Sequence, residues 1–231
     1  MLIGGFQKFS LIDYPGKVSA ITFTQGCNFR CSYCHNPELV EPKLFQEPLD
    51  EETIFSFLEA RKGKLDGIVI TGGEPTLQKD LPEFIRKIKS TRFLVKLDSN
   101  GTNPGMLKYL IEKELVDYIA MDIKAPLEKY KKVVNRRINP NLIKESIDTI
   151  MNSGLNYEFR TTFAKGIVTE AEVISIAKLI KGARLYVLQK MIDRGKILDP
   201  IFMDSIHSYS DEEVYLLKQE VLNYVMQCII R

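Results

Sequence analysis

Three of the four cysteines fall within eight residues, as Cys27-x3-Cys31-x2-Cys34, just after an apolar run over residues 18–24. Thiolates this close on one loop can converge on a single inorganic centre, and cysteine thiolates are the usual iron–sulfur ligands. A structural zinc ion wants four ligands, usually two paired cysteine hooks some distance apart. This chain has one CxxC and no second pair. His35 directly follows Cys34, a poor place from which to complete a tetrahedron, and a redox dithiol of Cys31 and Cys34 leaves Cys27 unexplained. If the centre is a four-iron cluster, three thiolates leave one iron open for another molecule.

Such a loop needs a rigid frame, and the hydrophobic pattern supplies one. Apolar, β-branched runs predict strands over residues 18–24, 67–71, 93–98, 118–124, 157–163 and 185–188. Helical stripes alternate with them: Ile54, Phe57 and Leu58, ending near Gly63; Phe84, Ile85 and Ile88, with Asp80 as N-cap; and Leu107, Leu110, Ile111 and Leu115. Further on come Ile143, Ile147, Ile150 and Met151, opened by Asn139-Pro140; Val173, Ile176, Ala177 and Ile180, behind a capping box at Thr169-Glu170-Ala171-Glu172; and Val214, Leu217, Val221 and Val225, capped at Ser210. Residues 1–17 read as a lead-in closed by the turn Asp13-Tyr14-Pro15-Gly16. Strands alternating with helices mean a parallel sheet with crossover connections. Six units are too few for a closed eight-stranded barrel, so the expectation is an α/β fold: an open partial (β/α)6 barrel with parallel strands plus a C-terminal helix, with residues 1–231 as a single domain.

Ligands of α/β folds bind outside the carboxyl ends of the strands. The unusual polar and glycine residues gather there: the cysteine loop after the first strand, Gly72-Gly73-Glu74-Pro75 after the second, Asp98-Ser99-Asn100 after the third, and Asp122 and Lys124 at the fourth. Arg160 lies within the fifth strand and Gln189 just after the sixth. Any one of these has an ordinary structural explanation, as a turn, a cap or a solvated lysine; their repetition around one rim points to a site. Cys228, among Val225, Met226, Ile229 and Ile230, reads as a buried small hydrophobe on the last helix. His207 reads as a loop residue, and residues 129–137 as a solvated basic face.

The 32 basic and 30 acidic residues give a net charge of +2 without a basic stripe, so no nucleic-acid partner is expected. No apolar run reaches the roughly 20 residues of a membrane span. Residues 1–8 lack the charged start and long apolar core of a signal peptide. With clustered rather than paired cysteines, these features lead to the expectation of a cytoplasmic protein.

The cysteine motif, with aromatic Tyr33 before its last thiol, resembles the signature of radical S-adenosylmethionine enzymes, and Gly72-Gly73-Glu74-Pro75 at the next strand end makes the match specific. It can be narrowed. Gln7-Lys8-Phe9-Ser10-Leu11-Ile12-Asp13-Tyr14-Pro15-Gly16-Lys17, the approach Gln25-Gly26-Cys27-Asn28-Phe29-Arg30-Cys31 and the exit Tyr33-Cys34-His35-Asn36-Pro37-Glu38-Leu39 look like the anaerobic ribonucleoside-triphosphate reductase activating proteins, a branch of the glycyl-radical-enzyme activases. Asp98-Ser99-Asn100-Gly101 and Met121-Asp122-Ile123-Lys124 resemble the same activases.

The resemblance implies one [4Fe-4S] cluster held by Cys27, Cys31 and Cys34, with S-adenosylmethionine chelating the fourth iron and cleaved to a 5′-deoxyadenosyl radical. It further implies that Gly72, Gly73 and Glu74 receive the methionyl amino group and that Tyr33 packs near the adenine. Asp98 and Lys124 would contact the ribose or carboxylate, and Asp98, Ser99 and Asp122 match a monovalent-cation site; Arg160 and Gln189 are looser matches. The implied partners are an anaerobic ribonucleoside-triphosphate reductase bearing the glycine and a low-potential electron donor such as flavodoxin or ferredoxin. Four cysteines are too few for the inserted ferredoxin-like module of some activases. Two other readings compete: a radical enzyme acting on a small molecule, similar to 7-carboxy-7-deazaguanine synthase, and a non-catalytic metal-binding or electron-carrier module. The last leaves Gly72, Gly73, Glu74, Asp98, Asp122 and Lys124 without a job.

Overall fold

The computed structural model describes residues 1–192 and 195–231. They gather into two compact units, one of residues 1–28, 38–99 and 103–119, the other of residues 29–37, 100–102 and 120–231.

The first unit is built on β1 (Ile3–Ser10), β2 (Ser19–Thr24), β3 (Gly67–Gly72) and β4 (Leu94–Ser99). Strand β2 pairs in parallel with β3 from Ser19 opposite Gly67 to Thr24 opposite Gly72, and β3 pairs in parallel with β4. This register brings Gly72 level with Thr24, three residues before Cys27. The expected lead-in is in fact a strand: β1 runs antiparallel to β2 with two register shifts, and the turn at residues 13–16 joins the pair. Its glycines and alternating polar residues hid it from a search for β-branched runs.

Helices α1 (Pro37–Val40), α2 (Glu51–Ala60), α3 (Leu81–Ser90) and α4 (Pro104–Glu112) complete this unit, apart from Pro37. Prolines at positions 37, 42 and 48 keep the chain from a long helix before Asp50, whose side chain caps α2. Asp80 is at the N-cap position of α3 but makes no capping hydrogen bond; its carboxylate is 2.7 Å from the α-amino group of Met1. Ile54, Leu58, Phe84, Ile85, Ile88, Leu107 and Leu110 are all buried, as their spacing requires.

Strand β5 (Tyr118–Asp122) falls across the division between the units. The second unit contains the short α5 (Tyr130–Val133), α6 (Pro140–Met151), β6 (Asn156–Phe163), α7 (Glu170–Leu179), β7 (Tyr186–Lys190), α8 (Asp211–Val221) and β8 (Cys228–Ile230). Strands β6, β7 and β8 pair in parallel. The capping boxes at Thr169/Glu172 and Ser210/Glu213 both form. Helix α8 stops at Val221, so Cys228 does not lie on a helix: with Ile229 and Ile230 it forms a short β-branched strand laid along β7. Gln189 likewise belongs to β7 rather than following it.

The α/β class with parallel strands and helical crossovers is therefore as the sequence implies, with two more strands than the six expected. Among the described residues β1 pairs only with β2 and β8 only with β7, so the strand order has two open ends. Among the described residues no helix is long and apolar enough to cross a membrane.

Candidate active site

In the first unit, Gly72-Gly73-Glu74 is bound by backbone hydrogen bonds to the approach of the cysteine loop. Gly73 N–H donates to Thr24 O and Glu74 N–H to Gly26 O, each at 2.8 Å. The glycines are there because nothing larger fits. A Cβ on Gly73 would lie 2.1 Å from Gly26 O; one on Gly72, whose φ is +118°, would lie 2.3 Å from Thr24 N. The motif so fixes the main chain immediately before Cys27. The Glu74 carboxylate is buried, and its Oε1 accepts from Thr76 N–H at 3.1 Å, from the Thr76 hydroxyl and from Ser99 Oγ–H at 2.9 Å. Asp98 pairs with Lys96, a fully buried lysine two residues before it on the same face of β4.

In the second unit, Cys31 is buried and Cys34 half-buried, and Cys34 N–H donates to Cys31 O at 3.0 Å. Two segments hold this part of the loop. Leu198 N–H donates to Cys34 O at 2.9 Å and Asp199 N–H to Ser32 O at 3.0 Å; Arg30 N–H donates to Val134 O and the Asn135 side-chain amide to Arg30 O. His35 Nε2 is 2.9 Å from Ile192 O, so that nitrogen serves the loop's own packing. Tyr33 is buried with its ring 6.5 Å from that of Phe202, and its hydroxyl has no hydrogen-bond partner among the described residues. Tyr33, Phe202, Val133, Ile167, Lys132 and Glu172 are among the residues lining a cavity of about 480 Å³ beside the loop.

Asp122 is the electrostatic centre of this unit. Its Oδ1 accepts from Arg160 Nε–H at 2.7 Å and its Oδ2 from Lys124 Nζ at 3.0 Å. Burial alone would raise its pKa; Arg160 and Lys124 outweigh burial and hold the carboxyl well below the usual range. Burial works against the Lys124 charge too, and the Asp122 carboxylate more than offsets it, leaving the ammonium well above its usual pKa. Burial pushes the Cys31 thiol up to about 11, with the Lys124 charge partly opposing the rise.

Among the described residues no cysteine is joined in a disulfide. Cys27 belongs to the first unit and Cys31 and Cys34 to the second. Among the described residues no group of three or more His, Cys, Asp or Glu side chains stands ready around a metal. The donors nevertheless suit an iron–sulfur centre: soft thiols on a short loop, one of them protonated by burial until a cation displaces its proton. Asp98 is paired with Lys96, and Asp122 with Arg160 and Lys124. Gln189 is half-buried on β7, opposite Thr162.

Sequence reasoning misses Lys96 and Glu158, though a common signal marks them. Lys96-x-Asp98, Asp122-x-Lys124 and Glu158-x-Arg160 are opposite charges two residues apart, each pair beginning in an apolar strand, and that spacing puts both side chains on one face.

Comparison with known proteins settles the class to which this site belongs. The profile of the Radical SAM superfamily matches residues 21–180, and the chain belongs to that superfamily. A Methanocaldococcus jannaschii protein named as a candidate glycyl-radical enzyme activating enzyme is 40% identical over 195 residues, covering 82% of this chain and 79% of the relative. A GTP 3′,8-cyclase of Campylobacter lari is 31% identical over 225 residues, covering 94% of this chain and 66% of the cyclase. Among solved structures, Streptococcus suis SuiB bound to S-adenosylmethionine has a TM-score of 0.66 at 11% identity, covering 89% of this chain and 47% of SuiB. That likeness shows the fold.

Proposed function

We propose that the chain is an iron–sulfur enzyme that reductively cleaves S-adenosylmethionine and generates the glycyl radical on an anaerobic ribonucleoside-triphosphate reductase. The observation that carries the activase reading is the 40% identity to a candidate activating enzyme over most of both chains. The cofactors are one [4Fe-4S] cluster on Cys27, Cys31 and Cys34 and S-adenosylmethionine. When bound, the cluster supplies one electron to the sulfonium, which yields methionine and a 5′-deoxyadenosyl radical.

The remaining work falls to the chain's own groups. The Gly72-Gly73 backbone lies against the cysteine loop's approach, where a methionyl amino group is received. Lys124 and Arg160 form a cationic pair for the methionyl carboxylate, kept charged and in place by Asp122. The cavity next to Tyr33 takes the adenosyl part, its Val133, Ile167 and Phe202 walls excluding water from a reactive radical. Holding the sulfonium against its electron source makes the transfer intramolecular. Asp98, Ser99 and Gln189 complete the proposed ring of contacts. Residues 1–231 act as one domain, in the cytoplasm, with a low-potential flavodoxin or ferredoxin as donor.

A second reading, a radical enzyme acting on a small molecule, is favoured by the cyclase relative, which the chain matches over 94% of its own length. Anaerobic reconstitution with iron and sulfide, followed by reduction in the presence of S-adenosylmethionine, tests what both share. Formation of 5′-deoxyadenosine supports them, and its absence rules out both. Cleavage stimulated only by the reductase then favours the activase, and cleavage stimulated by GTP the small-molecule enzyme.

A further inference from the structure

Residues 129–137 hold five basic residues and no acidic one, against a net charge of +2 for the whole sequence. Lys131, Lys132, Arg136 and Arg137 are all exposed. Lys129 is bonded to Glu172, with Glu128 beside it in sequence, but among the described residues the other four cations enter no ion pair. A second basic run, Arg86 to Arg92, differs in this respect. There Lys87 lies near Glu51 and Glu83, and Lys89 pairs with Asp117 at 2.7 Å. Like charges gathered without counter-charges repel one another, so the cluster at 131–137 costs stability in the isolated chain.

This cluster is fixed against the cysteine loop, wholly within the second unit. Tyr130 and Val134, one helical turn apart, are both buried, which turns Lys131 and Lys132 outward. The Tyr130 ring lies 6.1 Å from that of Phe29. Arg30 N–H donates to Val134 O at 2.8 Å, and the Asn135 side-chain amide donates to Arg30 O at 3.0 Å and to Ser32 Oγ at 3.2 Å. Arg30 and Ser32 are the two chain neighbours of Cys31, so Asn135 clasps the loop on both sides of that thiol. Arg136 and Arg137 follow Asn135 directly. A positive surface thus stands next to a candidate iron–sulfur ligand, and electron transfer falls steeply with distance.

We propose that the exposed face of residues 131–137 is the docking site of a small acidic electron-carrier protein. The proposal rests on the reading above, in which Cys31 holds an iron–sulfur centre. The carrier is the reductant: it loses one electron and the centre gains it, and no bond or proton changes hands. Complementary charge at such a rim speeds encounter more than it tightens the complex, so a spent carrier can leave. Nucleic acid, the other polyanion to weigh, is read by longer basic stripes and has no use for proximity to Cys31.

The test compares wild type with Lys131→Gln/Arg136→Gln/Arg137→Gln. The control, Lys64→Gln/Lys108→Gln/Lys113→Gln, removes three exposed charges from the first unit. Lys132 is kept because it lines the cavity beside Tyr33. The probe is a flavodoxin of net negative charge. Calorimetry measures binding of its oxidised form to the apo protein. Stopped-flow loss of iron–sulfur absorption measures reduction of the reconstituted protein by the flavin hydroquinone, with dithionite as a reductant that needs no docking. At low salt the triple variant is expected to slow flavodoxin-driven reduction by roughly ten- to thousandfold, the span of electrostatic steering, and to weaken binding. Dithionite should reduce it like wild type, and the control should match wild type throughout. Near roughly 1 M salt, where the screening length is about 3 Å, the difference should vanish. Unchanged flavodoxin binding and reduction in the triple variant, or an equal loss in the control, would overturn the proposal. So would a triple variant that keeps flavodoxin but loses binding to the reductase or to duplex DNA. If the triple variant does not fold, Arg136→Gln/Arg137→Gln decides by the same readouts. A wild type that assembles no centre for dithionite to bleach would sink the iron–sulfur reading alone, since the calorimetry on apo protein stands without it.

Discussion

Replacing Gly73 by alanine is the sharpest perturbation of the frame that carries the cysteine loop. A Cβ at this position would lie 2.1 Å from Gly26 O, 2.6 Å from Gly26 C and 3.1 Å from Leu39 O. All three are backbone atoms, so no side-chain rotation relieves the overlap. Reaching ordinary contact needs a movement of more than 1 Å, which breaks the 2.8 Å bonds from Glu74 N–H to Gly26 O and from Gly73 N–H to Thr24 O. Two lost backbone hydrogen bonds at about 1 kcal/mol each, with overpacking at about 1–3 kcal/mol, give a destabilisation of about 3–5 kcal/mol. For a chain of this size that lowers Tm by roughly 6–20 °C. Urea unfolding of the apo protein measures it directly, free of any cofactor contribution. The control is Gly105→Ala: the new methyl meets only Asn103 Oδ1, at 3.8 Å, and α4 should be unharmed or slightly stabilised. A Gly73→Ala protein within 0.5 kcal/mol of wild type would refute the packing argument, taking that as the ordinary scatter of harmless surface changes.

Other perturbations separate the remaining roles. Cys31→Ala should abolish iron–sulfur absorption and S-adenosylmethionine cleavage together; retained cleavage would disprove the ligand assignment. Asp122→Asn leaves Arg160 and Lys124 close together without their shared carboxylate, and should cost about 3–5 kcal/mol in urea unfolding. A loss under 1 kcal/mol would show that the pair is not held by this residue. Cys228 gives a pH signature. Burial pushes its thiol up from 9.0 to about 11, so above pH 9 the unfolded chain sheds a proton the folded chain keeps. Stability is full below pH 9, falls between pH 9 and about 11 by about 2–3 kcal/mol, and levels off above. Cys228→Ala should flatten that slope in urea midpoints measured across the window; an unchanged slope would assign it elsewhere.

The fold was legible where burial imposes a period. Strands at the six expected places and the helix stripes between them follow from apolar spacing, and the caps at Thr169 and Ser210 from a hydroxyl residue three before a glutamate. Strand β1 was not legible, because its glycines and polar residues satisfy antiparallel pairing without a hydrophobic run. Strand β8 is not legible, because the apolar period of Val214, Leu217, Val221 and Val225 continues past Val221, where the helix itself ends. Within the site, glycine and cysteine spacing marked the loop and its neighbouring turn, since both answer to local geometry. The partners of Glu74, Asp98 and Asp122 depend on which strand face each side chain takes. For Asp98 and Asp122, opposite charges two residues apart are the signal that marks those partners.

The central claim is that electron delivery at the cysteine loop ends as a radical on another protein's glycine. Electron paramagnetic resonance of the reduced, reconstituted protein with S-adenosylmethionine and the anaerobic reductase measures that product directly. The predicted result is a doublet that collapses to a singlet when the reductase carries α-deuterated glycine. Formation of 5′-deoxyadenosine with no protein-borne doublet would contradict it.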